Sequence, residues 1–187
     1  MAQKRKDWNG LISGFKASDL VFLDESGCNT DMTRRYAYSL GGSRAIDSAP
    51  LSKPKNTTIL SSIQLDGTLR YTTFSGGTTV EKFKRYLETD LPPHLNGNSV
   101  LIMDNMKSHH AKAVKNLLDS SGVRYIYLPP YSPDLNPIEK LWSKVKSFLR
   151  KFKARTLDAL QNAIQHAFQT VSPSDCSGWF KFCDYLH

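Results

Sequence analysis

Three carboxylates in this chain stand where they could handle a phosphodiester. An apolar run, Leu20-Val21-Phe22-Leu23, leads into Asp24-Glu25, and a second, Val100-Leu101-Ile102-Met103, leads into Asp104-Asn105. Thirty-four residues separate Asp104 from Glu139, which lies in the first turn of a strongly basic helical segment. Breaking or transferring a phosphodiester needs an activated oxygen nucleophile and charge stabilisation at the leaving oxygen. Two Mg²⁺ or Mn²⁺ ions roughly 3.5–4 Å apart supply both. Such hard cations bind carboxylate oxygens, and Mg²⁺ usually takes only one or two from the protein. Asp24 and Asp104, at the ends of neighbouring strands and closed over by Glu139, would form that oxygen cage.

Each of the three has a plainer use. Aspartate at a strand end is a common turn former. Asn136-Pro137-Ile138-Glu139 also reads as a capping box, with Asn136 as the cap and Glu139 three residues on. The helix itself favours a site. Ile138, Leu141, Trp142, Val145, Leu149 and Phe152 make its apolar stripe. Glu139 lies on a flank that it shares with Ser143, Lys146 and Arg150. Between Glu139 and Arg155 there are seven basic residues against that single acid, Lys140, Lys144, Lys146 and Arg150 among them. A carboxylate at the head of a basic ridge suits an enzyme whose helix tracks a phosphate backbone.

The rest of the composition narrows the field. The 187 residues carry a net charge of +8, with 40% hydrophobic and 22% charged residues, as an ordinary globule does. No apolar run is long enough to span a bilayer, and the N-terminus has no secretory apolar core. Cys28, Cys176 and Cys183 are odd in number and without C-x-x-C spacing, which argues against a disulfide framework or a zinc site and fits a reducing cytosol. His109 and His110 lack further ligands at zinc spacing. No Gly-x-Ser-x-Gly context and no phosphate-cradling Gly-x-x-x-x-Gly-Lys-Ser/Thr is present, so a serine hydrolase and a P-loop ATPase are set aside.

Positioning these groups calls for a mixed α/β arrangement. Residues 1–18 read as a polar lead-in, with Trp8, Leu11 and Phe15 as anchors of a short helix. Strands are expected at 20–24, 36–40, 57–65 and 69–74, the last two joined across Asp66-Gly67, a strong hairpin signal. Residues 41–56 read as a loop. A helix capped by Thr78 and Glu81 carries Val80, Phe83, Leu87 and Leu91 inward and stops at Pro92-Pro93. A strand at 100–104, a helix at 111–120 ended by Gly122, and a strand at 123–128 follow. A proline-rich connector, 129–137, leads into the basic helix, and a last helix at 156–170 precedes an aromatic tail at 179–185. Antiparallel pairing comes first and crossovers later, so the sheet should be mixed.

Taken together, Leu23-Asp24-Glu25-Ser26-Gly27, Met103-Asp104-Asn105 with His109, and Pro130-Tyr131-Ser132-Pro133-Asp134-Leu135-Asn136-Pro137-Ile138-Glu139 resemble the DDE transposases of the mariner superfamily. Thr33-Arg34-Arg35-Tyr36 and Asp175-Cys176-x-Gly178-Trp179-Phe180 point to the bacterial insertion-sequence branch. The resemblance runs from about Leu20 onward. It implies a ribonuclease H-like fold over residues 19–187, with Asp24, Asp104 and Glu139 as a catalytic triad holding Mg²⁺ or Mn²⁺. It also implies cleavage at transposon ends, attack of the released 3′ hydroxyl on target DNA, usually at TA, and a homodimer on DNA. Asn105, His109 and Asn136 would be supporting residues, with His110 doubling the motif histidine. Members carry a helix-turn-helix half before the triad, for which there is no room ahead of Asp24. The expectation is therefore a catalytic half alone, either the second frame of a two-frame element or a truncated remnant, with poor sequence-specific DNA binding. Its expected location is the cytoplasm, at the nucleoid. Two other readings stay open: a non-catalytic DNA-binding or regulatory remnant, and a ribonuclease H-like or junction-cutting nuclease.

Overall fold

A computed structural model describes residues 2–34, 36–48, 50 and 53–186. Five strands make one sheet: β1 (Leu20–Asn29), β2 (Asn56–Ile63), β3 (Leu69–Ser75), β4 (Val100–Met103) and β5 (Arg124–Tyr127). Their spatial order is β3-β2-β1-β4-β5, with β1, β2 and β3 antiparallel in turn and β4 and β5 parallel beside β1. Six helices flank it: α1 (Ala2–Ile12), α2 (Val80–Arg85), α3 (Lys112–Ser121), α4 (Ile138–Phe152), α5 (Leu157–Gln169) and α6 (Pro173–Phe182). Among the described residues no helix is long and apolar enough to cross a membrane.

The near-continuous apolar runs of β1 and β4 are those of central strands covered on both faces. Side chains alternate across a strand, so Leu20 and Phe22 face one way and Val21 and Leu23 the other. The first pair joins Ile102 in a core with α4, α5 and α6, which Trp8 of α1 also enters. The second pair joins Leu101 and Met103 under α2, α3 and the widened helical turn Tyr86–Asp90. Phe180 and Tyr185 of the aromatic tail close on Phe22, with ring centroids 5.3 and 5.0 Å away. Gly67 turns the β2–β3 hairpin at φ +91°, and a Cβ there would stand 2.9 Å from Cα of Pro173. Only glycine fits both demands.

Several expectations need correction. Residues 36–40 are not a strand: Tyr36, Tyr38 and Leu40 are fully or almost fully exposed. Their alternation suits a strand, but they pair with none of the five strands and lie on the surface. Asp24 is not at a strand end, since β1 runs five residues further, to Asn29. Thr79, not Thr78, caps α2 by accepting from the Lys82 amide. Leu11 and Phe152 lie largely exposed at the ends of their helices, outside the core. Arg35, in the stretch resembling the insertion-sequence branch, and His187 lie outside the described residues.

Candidate active site

Register brings the two aspartates together. Leu23 pairs with Met103 in the parallel β1–β4 ladder, so the next residues, Asp24 and Asp104, emerge side by side on strands about 4.8 Å apart. Glu139, at the start of α4, faces the same cleft of about 590 Å³, which Glu25, Asn105, Asn136 and residues 128–133 of the connector also line. All three expected carboxylates therefore line one cleft.

Asp24 is 7% exposed. Its Oδ1 accepts from the Glu25 amide at 2.7 Å and its Oδ2 from the indole Nε1 of Trp142 at 3.2 Å. Burial raises its pKa to about 7, and the charge of Asp104 adds to the rise against those two hydrogen bonds. Asp104 is held differently. Burial works against its ionised form, but the bond from His109 and the Met106 amide outweigh it and lower its pKa. The contacts are 2.8 Å from His109 Nδ1 and 3.0 Å from the Met106 amide, both to Oδ1.

His109 is fully buried under the ring of Phe83, with centroids 4.3 Å apart. Its other nitrogen, Nε2, lies 3.1 to 3.2 Å from both oxygens of Glu25. Burial disfavours its charge, but Asp104 and Glu25 overcome that and raise its pKa to about 10. The ring thus stands between two carboxylates, an arrangement that favours its doubly protonated form. Glu25, Asp104 and His109 each bring a ligand atom within 4.8 Å of the others. Because each ring nitrogen already faces a carboxylate, we read this group as an ion-pair clamp that holds Asp104 in place.

Glu139 is exposed, and its carboxylate has no hydrogen-bond or ion-pair partner among the described residues. The expected capping box is not formed. Pro137 holds the cap position without a side-chain bond, and Asn136 offers Glu139 only its backbone carbonyl, 3.1 Å from the amide. Asn136 itself is buried at the cleft with Oδ1 unpaired. Asn105 is spent on structure: its amide nitrogen donates to the Leu128 carbonyl and its oxygen meets His110 Nε2 at 3.1 Å. His110 is exposed and stacks on Tyr127, so His109 is the histidine tied to the carboxylates.

The basic run divides. Lys144 reaches the Thr170 carbonyl at 2.8 Å and Asp175 at 2.6 Å, and so ties α4 to the start of α6 instead of standing free for DNA. Lys140 lies 3.6 Å over the Phe182 ring. Lys153 pairs with Asp47, and Arg155 bonds the Thr30 carbonyl. Lys146 and Arg150 have no hydrogen-bond or ion-pair partner among the described residues and line a second hollow with Gly27, Cys28 and Asn29. Because β1 and α4 run from the carboxylate cleft to that hollow, the two sites share one face.

Sequence reasoning overlooked Glu25 and Trp142. The signals were thin: a second acid directly after Asp24, and an indole N–H on an apolar stripe, where a buried donor needs an acceptor.

Comparison with known proteins gives the family and the fold. A family model described as DDE superfamily endonuclease matches residues 19–161. The Tc1 transposase of Caenorhabditis elegans is 28% identical over 97 residues, covering 50% of this chain and 36% of that protein. An uncharacterized 39 kDa protein of insertion element IS630 from Shigella sonnei is 32% identical over 75 residues, 39% of this chain and 22% of the other. The catalytic domain of Mos1 mariner transposase superposes with a TM-score of 0.70 at 16% identity, over 98% of this chain and 88% of that one. The Mos1 mariner paired end complex with Mn gives 0.78 at 18% identity, over 96% of this chain and 58% of that one. The fold is shared, and it is ribonuclease H-like, as the resemblance implied. The chain spans about a third of the length of the Tc1 protein.

Proposed function

Because this chain belongs to the DDE superfamily endonucleases, we propose that it is the catalytic part of a DNA transposase, cutting at transposon ends and joining them to target DNA. The observation that carries this reading is the meeting of Asp24, Asp104 and Glu139 at one cleft, two of them set abreast by strand register. The donor set suits a divalent metal. It is all hard oxygen, and burial raises the pKa of Asp24 against its two hydrogen bonds, so a cation bound there would favour its ionised form. Asp24, Asp104 and Glu139 would hold Mg²⁺ or Mn²⁺, as two ions. Such ions polarise the phosphodiester and activate the attacking oxygen.

The residues of the chain divide the remaining work. The Glu25–His109 clamp fixes one face of Asp104, and the Trp142 indole fixes Asp24. Glu139, free of partners, can adjust to the bound group. Lys146 and Arg150 lie about 10 and 16 Å along α4 from Glu139 at 1.5 Å per residue, a distance at which they would bind successive phosphates of the strand entering the cleft. In this reading the chain works as a homodimer on DNA in the cytoplasm, at the nucleoid, with a helix-turn-helix half supplied by an upstream frame or by full-length transposase. TA is the expected target.

The test is metal-dependent nicking and strand joining by the purified chain on supercoiled plasmid. Wild type should act with Mn²⁺, and Asp104→Asn should not. Activity that survived in Asp104→Asn would sink the assignment. Cleavage of only the RNA strand of a hybrid would favour the nuclease alternative, and DNA binding without any cleavage would favour a remnant.

A further inference from the structure

We infer that Trp142 is a positioning residue of the carboxylate site: its indole N–H orients Asp24 and sets the separation of Asp24 from Glu139. The inference rests on the transposase reading only through the role of Asp24 as a metal ligand. Trp142 is 4% exposed and belongs to the core stripe of α4, so its packing alone accounts for the ring. Packing does not account for where the N–H points. A buried indole needs an acceptor, and a neutral backbone carbonyl would serve. Here the acceptor is Oδ2 of Asp24, at 3.2 Å, a carboxylate that is itself buried.

Three features make that bond a positioning device. First, Trp142 is one helical turn beyond Glu139, so anchoring it to β1 fixes how far along the strand, and at what rotation, the first turn of α4 lies. Second, the two aspartates draw on the same kinds of donor, although their pKa values move in opposite directions. Each accepts one backbone amide and one ring N–H, from Glu25 and Trp142 for Asp24 and from Met106 and His109 for Asp104. Third, an indole is a donor only and does not ionise in the ordinary pH range, so it orients the carboxylate without competing for a cation. Hydrogen bonds that orient ligands from outside the coordination shell commonly carry tenfold to hundredfold in metal affinity.

The test uses the full chain and three preparations: wild type, Trp142→Phe, which keeps an aromatic ring and loses the donor, and Asp24→Asn. Mn²⁺ binding is measured by calorimetry or electron paramagnetic resonance, alongside the thermal midpoint. In ¹⁵N-labelled protein, Trp142→Phe also identifies the Trp142 indole resonance by its disappearance. We expect Mn²⁺ affinity to fall about tenfold in Trp142→Phe at a thermal midpoint within a few degrees of wild type. The indole resonance should shift when Mg²⁺ is added to wild type. If Asp24→Asn abolishes tight Mn²⁺ binding while Trp142→Phe leaves affinity unchanged and the resonance is indifferent to Mg²⁺, Trp142 is only core. If Asp24→Asn also leaves Mn²⁺ binding intact, Asp24 is not a ligand, and both the site reading and this inference fall together.

Discussion

The imidazole of His109 stands between Glu25 and Asp104, with Nε2 3.1 Å from the one carboxylate and Nδ1 2.8 Å from the other. Glu25 and Asp24 are neighbours on β1, and alternation sends them to opposite faces of the sheet. Asp24 faces α4 and meets Trp142, while Glu25 faces α2 and reaches His109 beneath Phe83. A single Asp-Glu pair in the sequence thus supports both aspartates of the cleft, one directly and one through the histidine.

Replacing His109 should therefore weaken the fold in a pH-dependent way. Its folded pKa, about 10, lies above the ordinary histidine value of about 6.5. The stabilisation is fully present below about pH 6.5 and is lost as pH rises through 10. His109→Gln should cost on the order of 3 kcal/mol at pH 6, and clearly less at pH 10. Urea unfolding of both proteins at the two pH values measures this. An equal cost at both would show that the histidine is neutral in the fold.

Replacing Asp24 should instead strengthen the metal-free fold, although the pH dependence runs the same way. Its folded pKa of about 7 exceeds the ordinary aspartate value, so between about pH 4 and 7 the folded chain holds the proton that the unfolded chain releases, and stability falls as pH rises. In metal-free protein Asp24→Asn should gain about 2 kcal/mol at pH 8 and almost nothing at pH 4, allowing for a weaker hydrogen bond. Thermal melts in EDTA at the two pH values test this. Mg²⁺ binding by wild type should tighten as pH rises toward 7, because the ion displaces that proton.

What could be read from the sequence follows from the range of the interactions involved. The apolar runs of β1 and β4, the Asp66-Gly67 turn and the Gly122 stop are local signals, and they hold in the structure. Residues 36–40 carry an equally local strand pattern, but a strand forms only where the chain meets a pairing partner, which no local window shows. The three carboxylates were legible because spacing and the surrounding motifs marked them. The clamp on Asp104 and the bond from Trp142 were not, because they depend on which face of β1 each acid takes and on how α4 is rotated against it.

The basic helix makes a sharper prediction than its total charge suggests. Among the described residues, only Lys146 and Arg150 of the basic run combine freedom from internal partners with a place on the face shared with the cleft. Removing both charges should reduce the slope of log affinity against log salt for duplex DNA by about 2. Lys144→Ala should leave that slope unchanged and instead cost about 1 kcal/mol of stability, discounted for partial exposure, through loss of the Asp175 and Thr170 contacts. Fluorescence anisotropy across a salt series, paired with urea unfolding, separates the two effects. A slope that followed Lys144 as well would place α6 in the DNA path.

Glu139 completes the contrast with the two aspartates. An exposed side chain without partners contributes little to the fold, so Glu139→Gln should change stability by less than about 0.5 kcal/mol at any pH between 5 and 9. The same substitution removes the charge that closes the cleft, and metal-dependent nicking should fall by at least about a hundredfold. Asp24→Asn should lose nicking to a similar extent while gaining stability at pH 8. Two variants with the same loss of chemistry and different stability would locate the cost of the site in the buried aspartate, where desolvation is greatest, and leave the glutamate free to move as metal and strand enter. Because Gln can also close a capping box, a companion Glu139→Ala variant tests the cap: a marked loss of stability there would mean that the side chain caps α4 in solution, and the capping-box reading of Asn136-Pro137-Ile138-Glu139 would return.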